Sequence, residues 1–265
     1  MSEPAASGPP KTITGVLLDL SGVVFEGDAI VGDAVAAIAD LKGRGLALRF
    51  VTNTTSTPLR TLVDKLNGLG IAATAREVVT PATAARALVR ERGLSPLLVV
   101  HPDLLEDFDP PVPGARNAVV LGDAGRAFSY EVLNEAFRLI DGGAAFIALA
   151  RNRTFKDADG GLSLDAGPFV AALEYATRRE AHLIGKPAAP FYAAALADLG
   201  VAADEAVMVG DDVESDVAGA LEAGMAGLLV RTGKYREGDE GRIDPGPTAT
   251  PADLRRAADW ILARS

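Results

Sequence analysis

Four short stretches of this 265-residue chain carry residue types that could do chemistry together. VLLDLSG, residues 16–22, places Asp19 inside an apolar run and follows it with Ser21 and Gly22. FVTNTT, residues 50–55, offers the hydroxyls of Thr52 and Thr54 and the amide of Asn53. IGKP, residues 184–187, carries Lys186, in a chain that otherwise prefers arginine for positive charge. VGDDVESD, residues 209–216, carries Asp211, Asp212 and Asp216. Converging carboxylates repel one another unless a cation stands between them. Oxygen-only donors, with no cysteine in the chain, favour a hard ion such as Mg²⁺ over Zn²⁺. A lysine beside them would neutralise a phosphate and hold Asp19 in its charged form. The Thr/Asn cluster suits phosphate oxygens. Plainer readings stay open for two of the stretches. Asp212 and Asp216 also suit the first turn of a helix, and Thr52–Thr54 suits a polar turn bonded to its own backbone.

The elements that must position these residues follow from hydrophobic spacing. Apolar runs at 15–20, 46–51, 97–100, 118–121, 145–149, 206–210 and 227–230 read as buried strands. Helical periodicity fills the intervals: Val31, Val35, Ile38 and Leu41 share one face, as do Leu59, Leu62, Val63 and Leu66. Thr57-Pro58, Thr80-Pro81 and Thr250-Pro251 read as helix starts, an N-cap followed by a first-turn proline. Residues 234–250 read as a surface loop. Alternation of this kind predicts an α/β fold with a doubly wound, mostly parallel sheet. Ligands of such sheets bind at the carboxyl ends of the strands, where all four stretches fall.

Composition excludes more than it assigns. The net charge of −10 and pI near 4.8 argue against nucleic-acid and anionic-membrane partners. The absence of cysteine removes disulfides, thiolate metal sites and thiol nucleophiles. No apolar run is long enough to span a bilayer. The first residues lack a signal core, read as a flexible tail over 1–11, and lead to the expectation of a cytoplasmic protein. His101 and His182 are far apart and read as structural. Neither a phosphate-cradling P-loop nor a dinucleotide fingerprint is present.

Taken in order, VLLDLSG, FVTNTT, IGKP and VGDDVESD resemble the four motifs of the haloacid-dehalogenase-like hydrolase superfamily. The resemblance covers nearly the whole chain after the tail. It implies a Rossmann-like core built from residues 1–79 and 182–265, interrupted by an inserted α/β cap over 80–181 like that of the NagD-like phosphatases. DLSGVV, FVTNTTS and GPFVAALEYAT before IGKP are similar to the group of phospholysine phosphohistidine inorganic pyrophosphate phosphatases. Position by position, the resemblance implies Asp19 as nucleophile and Mg²⁺ ligand, the Ser21 backbone carbonyl and Asp211 as further ligands, and Thr52, Asn53, Thr54 and the Gly22 turn around the phosphoryl group. Lys186 would neutralise that group, and Asp212 and Asp216 would orient Lys186 or metal-bound water. The implied partner is a small phosphorylated substrate, with a homodimer formed through the cap. Two alternatives stand beside it: a sugar- or nucleotide-phosphate phosphatase of the NagD-like type, and a weakly active or regulatory phosphate-binding homologue. Arg151-Asn152-Arg153-Thr154 suits either a second phosphate or a solvated loop.

Ser21 is where the chain departs from the pattern. Most phosphatases of the superfamily carry a second aspartate there as general acid and base, and a serine hydroxyl cannot easily take that role near neutral pH. Losing a general acid costs roughly 10²–10⁴-fold in rate, and most for leaving groups that need a proton. A sugar alkoxide needs one. Phosphate leaving from pyrophosphate, or a protonated nitrogen leaving from a phosphoramidate, needs one much less. DLS therefore predicts a bias toward P–O–P and P–N bonds.

Overall fold

The structure, a computed structural model, describes residues 12–156 and 161–265. The tail expected over 1–11 lies outside the described residues. In chain order the principal strands are β1 (Gly15–Asp19), β2 (Ala47–Val51), β3 (Val78–Val79), β4 (Pro96–Val99), β5 (Ala118–Leu121), β6 (Ala145–Ala148), β7 (His182–Leu183), β8 (Ala206–Gly210) and β9 (Ala226–Leu229). The longer helices are α1 (Ala34–Gly43), α2 (Leu59–Gly68), α3 (Pro81–Glu91), α4 (Tyr130–Asp141), α5 (Ala166–Thr177), α6 (Ala189–Leu199) and α7 (Leu254–Leu262). Every apolar run predicted as a strand is one, while β3 and β7, two residues each, are too short to show a period. Among the described residues no helix is long and apolar enough to cross a membrane.

The chain divides into two compact units. Among the described residues, the first comprises 12–52, 65–78 and 192–265, and the second 53–64, 79–156 and 161–191. The sheet of the first unit has the order β9-β8-β1-β2-β3. β1 runs parallel to β8 and β2, with Gly15 opposite both Ala206 and Ala47, and β8 runs parallel to β9. β1, β8 and β9 are buried at every position. That uninterrupted burial is the mark of parallel strands covered on both faces.

The second unit contains a four-stranded parallel sheet of order β7-β6-β5-β4. Successive side chains of a strand point to opposite faces. Val119 and Leu121 pack with Ala136 and Ile140 of α4 and Val170 and Leu173 of α5. Val120 packs the other way, with Ala85 and Val89 of α3 and with Leu104 and Phe108. Helices thus cover this sheet on both faces.

Local signals mostly act as expected. Thr80 caps α3, its hydroxyl accepting from the Thr83 N–H at 3.1 Å, with Pro81 in the first turn. Thr250-Pro251 differs, because α7 starts at Leu254 behind an Asp253 cap. The reason is the edge of β9: Leu229 N donates to Ala249 O at 3.0 Å and Arg231 N to Pro251 O at 3.1 Å, which keeps the chain extended through those residues. Residues 234–250 form the surface loop expected, mostly exposed and without a strand or long helix, but it is anchored at a few points. Tyr235 and Ile243 pack against the buried Val213, Val217 and Leu229, and Asp239 is buried. Because Asp253 accepts from the Arg256 N–H at 2.9 Å, Asp253→Ala is expected to lower stability by about 1 kcal/mol, read as a lower midpoint in chemical denaturation at unchanged slope.

Candidate active site

The parallel register of β1 and β8 brings two chain ends together. Leu18 lies opposite Val209, so Asp19 and the Gly210-Asp211 step leave the sheet side by side. Asp216 reaches the same place from a wide π-type turn, Val213–Ala218, that follows Asp212. Oxygens of Asp19, Asp211 and Asp216 all lie within 4.8 Å of one another, and the three residues are 6 %, 2 % and 1 % exposed. An oxygen-only set of this kind suits a hard divalent cation. Asp216, which the sequence left between a helix-turn acid and a supporting role, thus belongs to the carboxylate cluster.

Glycines make room for it. A Cβ on Gly210 would stand 2.2 Å from the Asp216 Cβ. A Cβ on Gly22 or Gly233 would stand 2.1 or 2.0 Å from Asp211 Oδ2. Both of these glycines have positive φ, +84° and +59°, which a side chain would also resist. Ser21 is exposed and forms an isolated bridge with Phe25. Thr52 is buried at the end of β2.

The remaining acid is held by hydrogen bonds and one cation. Asp212 Oδ1 accepts from the N–H groups of Glu214 and Ser215 at 3.2 and 3.0 Å, and Oδ2 accepts from Lys234 Nζ at 3.2 Å. Burial pushes the Asp212 carboxyl up, but the Ser215 N–H and the Lys234 charge outweigh it and hold the group below the ordinary carboxylate range. Burial likewise pulls the Lys234 ammonium down, and the charges of Asp212, Asp211 and Asp216 more than reverse that. The Lys234 backbone N–H also donates to Asp211 Oδ2 at 2.7 Å, and Thr232 Oγ1 donates to the Gly22 carbonyl at 2.5 Å. Thr232, Gly233 and Lys234 are therefore site residues that sequence reasoning missed. The available signal was RTGK directly after the apolar run of β9, at a strand's carboxyl end.

Asn53, Thr54 and Lys186 belong to the second unit. The Asn53 amide brackets Lys186: its Nδ2 donates to the Lys186 carbonyl and its Oδ1 accepts from the Lys186 N–H, both at 2.8 Å. Gly185 permits that approach, since a Cβ there would lie 2.5 Å from Leu149 O and 2.8 Å from Asn53 Oδ1. Lys186 is buried, 5 % exposed, and Thr54 Oγ1 lies 3.3 Å from Thr57 Oγ1. Arg151 pairs with Glu174. His101 caps a short turn, accepting from the Asp103 N–H, as a structural histidine would.

Comparison with known proteins fixes the family. Residues 16–110 match the model of the haloacid dehalogenase-like hydrolases, and residues 183–257 a second, HAD-hydrolase-like model. The chain is 43 % identical to haloacid dehalogenase-like hydrolase domain-containing protein 2 of Homo sapiens, over 95 % of this chain and 97 % of that one. The chain belongs to the haloacid dehalogenase-like hydrolases. It is 40 % identical to phospholysine phosphohistidine inorganic pyrophosphate phosphatase of Bos taurus, over 94 % of each. Among solved structures, it is 30 % identical to the glycerol phosphate phosphatase of Mycobacterium tuberculosis in complex with magnesium, with a TM-score of 0.79 over 92 % of this chain and 76 % of that one.

The glycine geometry of this hydrolase gives a direct check. Gly238 also has a positive φ, +94°, but a Cβ there meets nothing within 4 Å. Gly233→Ala should therefore lose clearly more stability in thermal melting than Gly238→Ala, which bears only the backbone strain of roughly 1–3 kcal/mol.

Proposed function

We propose that this chain is a Mg²⁺-dependent phosphohydrolase that works through an aspartyl-phosphate on Asp19 and prefers P–O–P and P–N bonds. The observation that carries the reading is the buried group Asp19, Asp211 and Asp216, with oxygens within 4.8 Å of one another. An oxygen-only group of this kind, drawn together in a buried place, suits a hard divalent cation. Asp19, Asp211 and the Ser21 carbonyl are assigned to the ion, with Asp212 and Asp216 supporting it. Magnesium there supplies the positive charge that lets an anionic nucleophile meet an anionic phosphate. The magnesium complex of the Mycobacterium tuberculosis relative supports that choice of ion.

In the first half-reaction an Asp19 carboxylate oxygen attacks phosphorus, and the P–O or P–N bond breaks with its electron pair leaving on the departing group. In the second, water attacks the phosphoryl group on Asp19, restoring the carboxylate and releasing orthophosphate. Thr52, Thr54 and the Gly22 turn are assigned to the phosphoryl oxygens and Lys186 to their charge. Asn53 enters this assignment through its hold on Lys186. Residues 80–181 are assigned to a cap that selects the substrate.

Ser21 supports the choice of bond. A neutral hydroxyl leaves the reaction without an acid for an alkoxide, whereas phosphate and protonated nitrogen leave without one. The name of the Bos taurus relative, at 40 % identity, points to the same bonds. Phosphate release from pyrophosphate, phosphohistidine and glycerol phosphate, with and without Mg²⁺, tests the reading. The expected result is Mg²⁺-dependent turnover with kcat/KM higher for the first two substrates. A higher kcat/KM for glycerol phosphate contradicts it and favours the sugar-phosphate reading. Asp19→Asn should lower kcat by at least ~10³-fold. Ser21→Asp should raise glycerol phosphate turnover by roughly 10²-fold and alter pyrophosphate turnover far less.

A further inference from the structure

At the amino end of the edge strand β4, the second unit holds a partly enclosed cavity of about 160 Å³. Its lining includes three arginines, Arg86, Arg90 and Arg116, and no acid, in a chain where acids outnumber bases by ten. Arg86 and Arg90 stand one turn apart on α3. Like charges at that spacing destabilise a helix unless an anion answers them. Each guanidinium offers five donors. Arg86 Nη1 uses one on the Asp107 carbonyl at 3.1 Å, and Arg90 Nη2 uses one on the Asp109 carbonyl at 3.3 Å. Among the described residues no carboxylate forms an ion pair with either. The Asp107 carboxylate accepts from the Leu59 N–H, at 3.2 and 3.1 Å, and feels the Arg86 charge without forming an ion pair with it. Arg116 pairs with Glu135 at the rim.

The floor of the cavity is apolar, formed by Val89, Leu98, Phe108 and Val112. Its wall is built in advance. The Ser95 hydroxyl donates to the carbonyls of Val112 and Gly114 at 3.0 and 3.2 Å, and the Ser95 N–H donates to Asn117 Oδ1 at 2.8 Å. An apolar cavity of about 150 Å³ accommodates a benzene ring. We propose that this cavity binds a small amphipathic oxyanion, one carboxylate or phosphate-type group on a body the size of a single ring. The Arg86 and Arg90 forks take the oxyanion, and the body lies on Phe108 and Leu98. None of the lining residues is assigned to phosphoryl transfer, so this site stands independently of the proposed reaction.

The test is a ¹⁵N–¹H spectrum of the full chain titrated with benzoate, phenylphosphonate, inorganic phosphate and benzyl alcohol. Either aryl anion should give saturable shifts at the Ser95, Gly114 and Arg90 amides, the tighter of the two showing which oxyanion the forks prefer. Inorganic phosphate and benzyl alcohol should bind at least about tenfold more weakly, since each lacks one half of the match. Arg90→Met, at an exposed position that leaves the fold intact, should raise Kd by about tenfold or more, and Asp19→Asn should leave it unchanged. No saturable shift from either aryl anion, equal binding of benzyl alcohol, or loss of the shifts in Asp19→Asn would overturn the proposal.

Discussion

Three carboxylates buried within 4.8 Å of one another repel, and a protein interior screens that repulsion far less than water does. Much of the first unit is arranged to hold them there. Asp19 is delivered by the buried strand β1, and Asp211 follows β8, a neighbour paired in parallel register. Parallel pairing inside a covered sheet leaves neither strand free to slide, because a one-residue slip would turn every side chain to the wrong face. Gly210, Gly22 and Gly233 then let the acids and the backbone approach to distances that any Cβ would forbid.

Charge is arranged around the cluster as carefully as space. Asp211 receives the Lys234 N–H, and Asp212 receives the Lys234 ammonium together with two N–H groups of the turn that follows it. Asp216 Oδ2 in turn accepts from the Asp212 N–H at 3.2 Å. The wide turn over Val213–Ala218 is what brings Asp216 round to the other two acids, and π-type turns occur often at functional sites. On the proposed reading, the remaining repulsion favours the binding of Mg²⁺.

Part of this was legible in the sequence, and the split has a physical cause. Asp19 and the Asp211–Asp216 group stand next to strong apolar runs, so strand geometry alone predicts a shared rim. Thr80-Pro81 is likewise read correctly, because capping is a local affair. Thr232, Gly233 and Lys234 were hidden because their importance lies in contacts with Gly22 and Asp211, more than twenty residues away in the chain. Thr250-Pro251 misled because pairing with the edge of β9 overrides a local start signal. Asn53 shows a subtler limit. Its amide suits a phosphate, and nothing in FVTNTT reveals that each end of it also bonds the backbone of Lys186.

The account turns on Asp19 becoming phosphorylated. The most direct test mixes the chain with phosphohistidine or pyrophosphate and Mg²⁺, quenches during turnover and reduces the mixture with borohydride, which converts an acyl phosphate to an alcohol. Peptide mass spectrometry then locates the change. The account predicts reduction at residue 19, absent without Mg²⁺ and absent in Asp19→Asn. Turnover with no modified residue 19, or with the modification at another carboxylate, would contradict it.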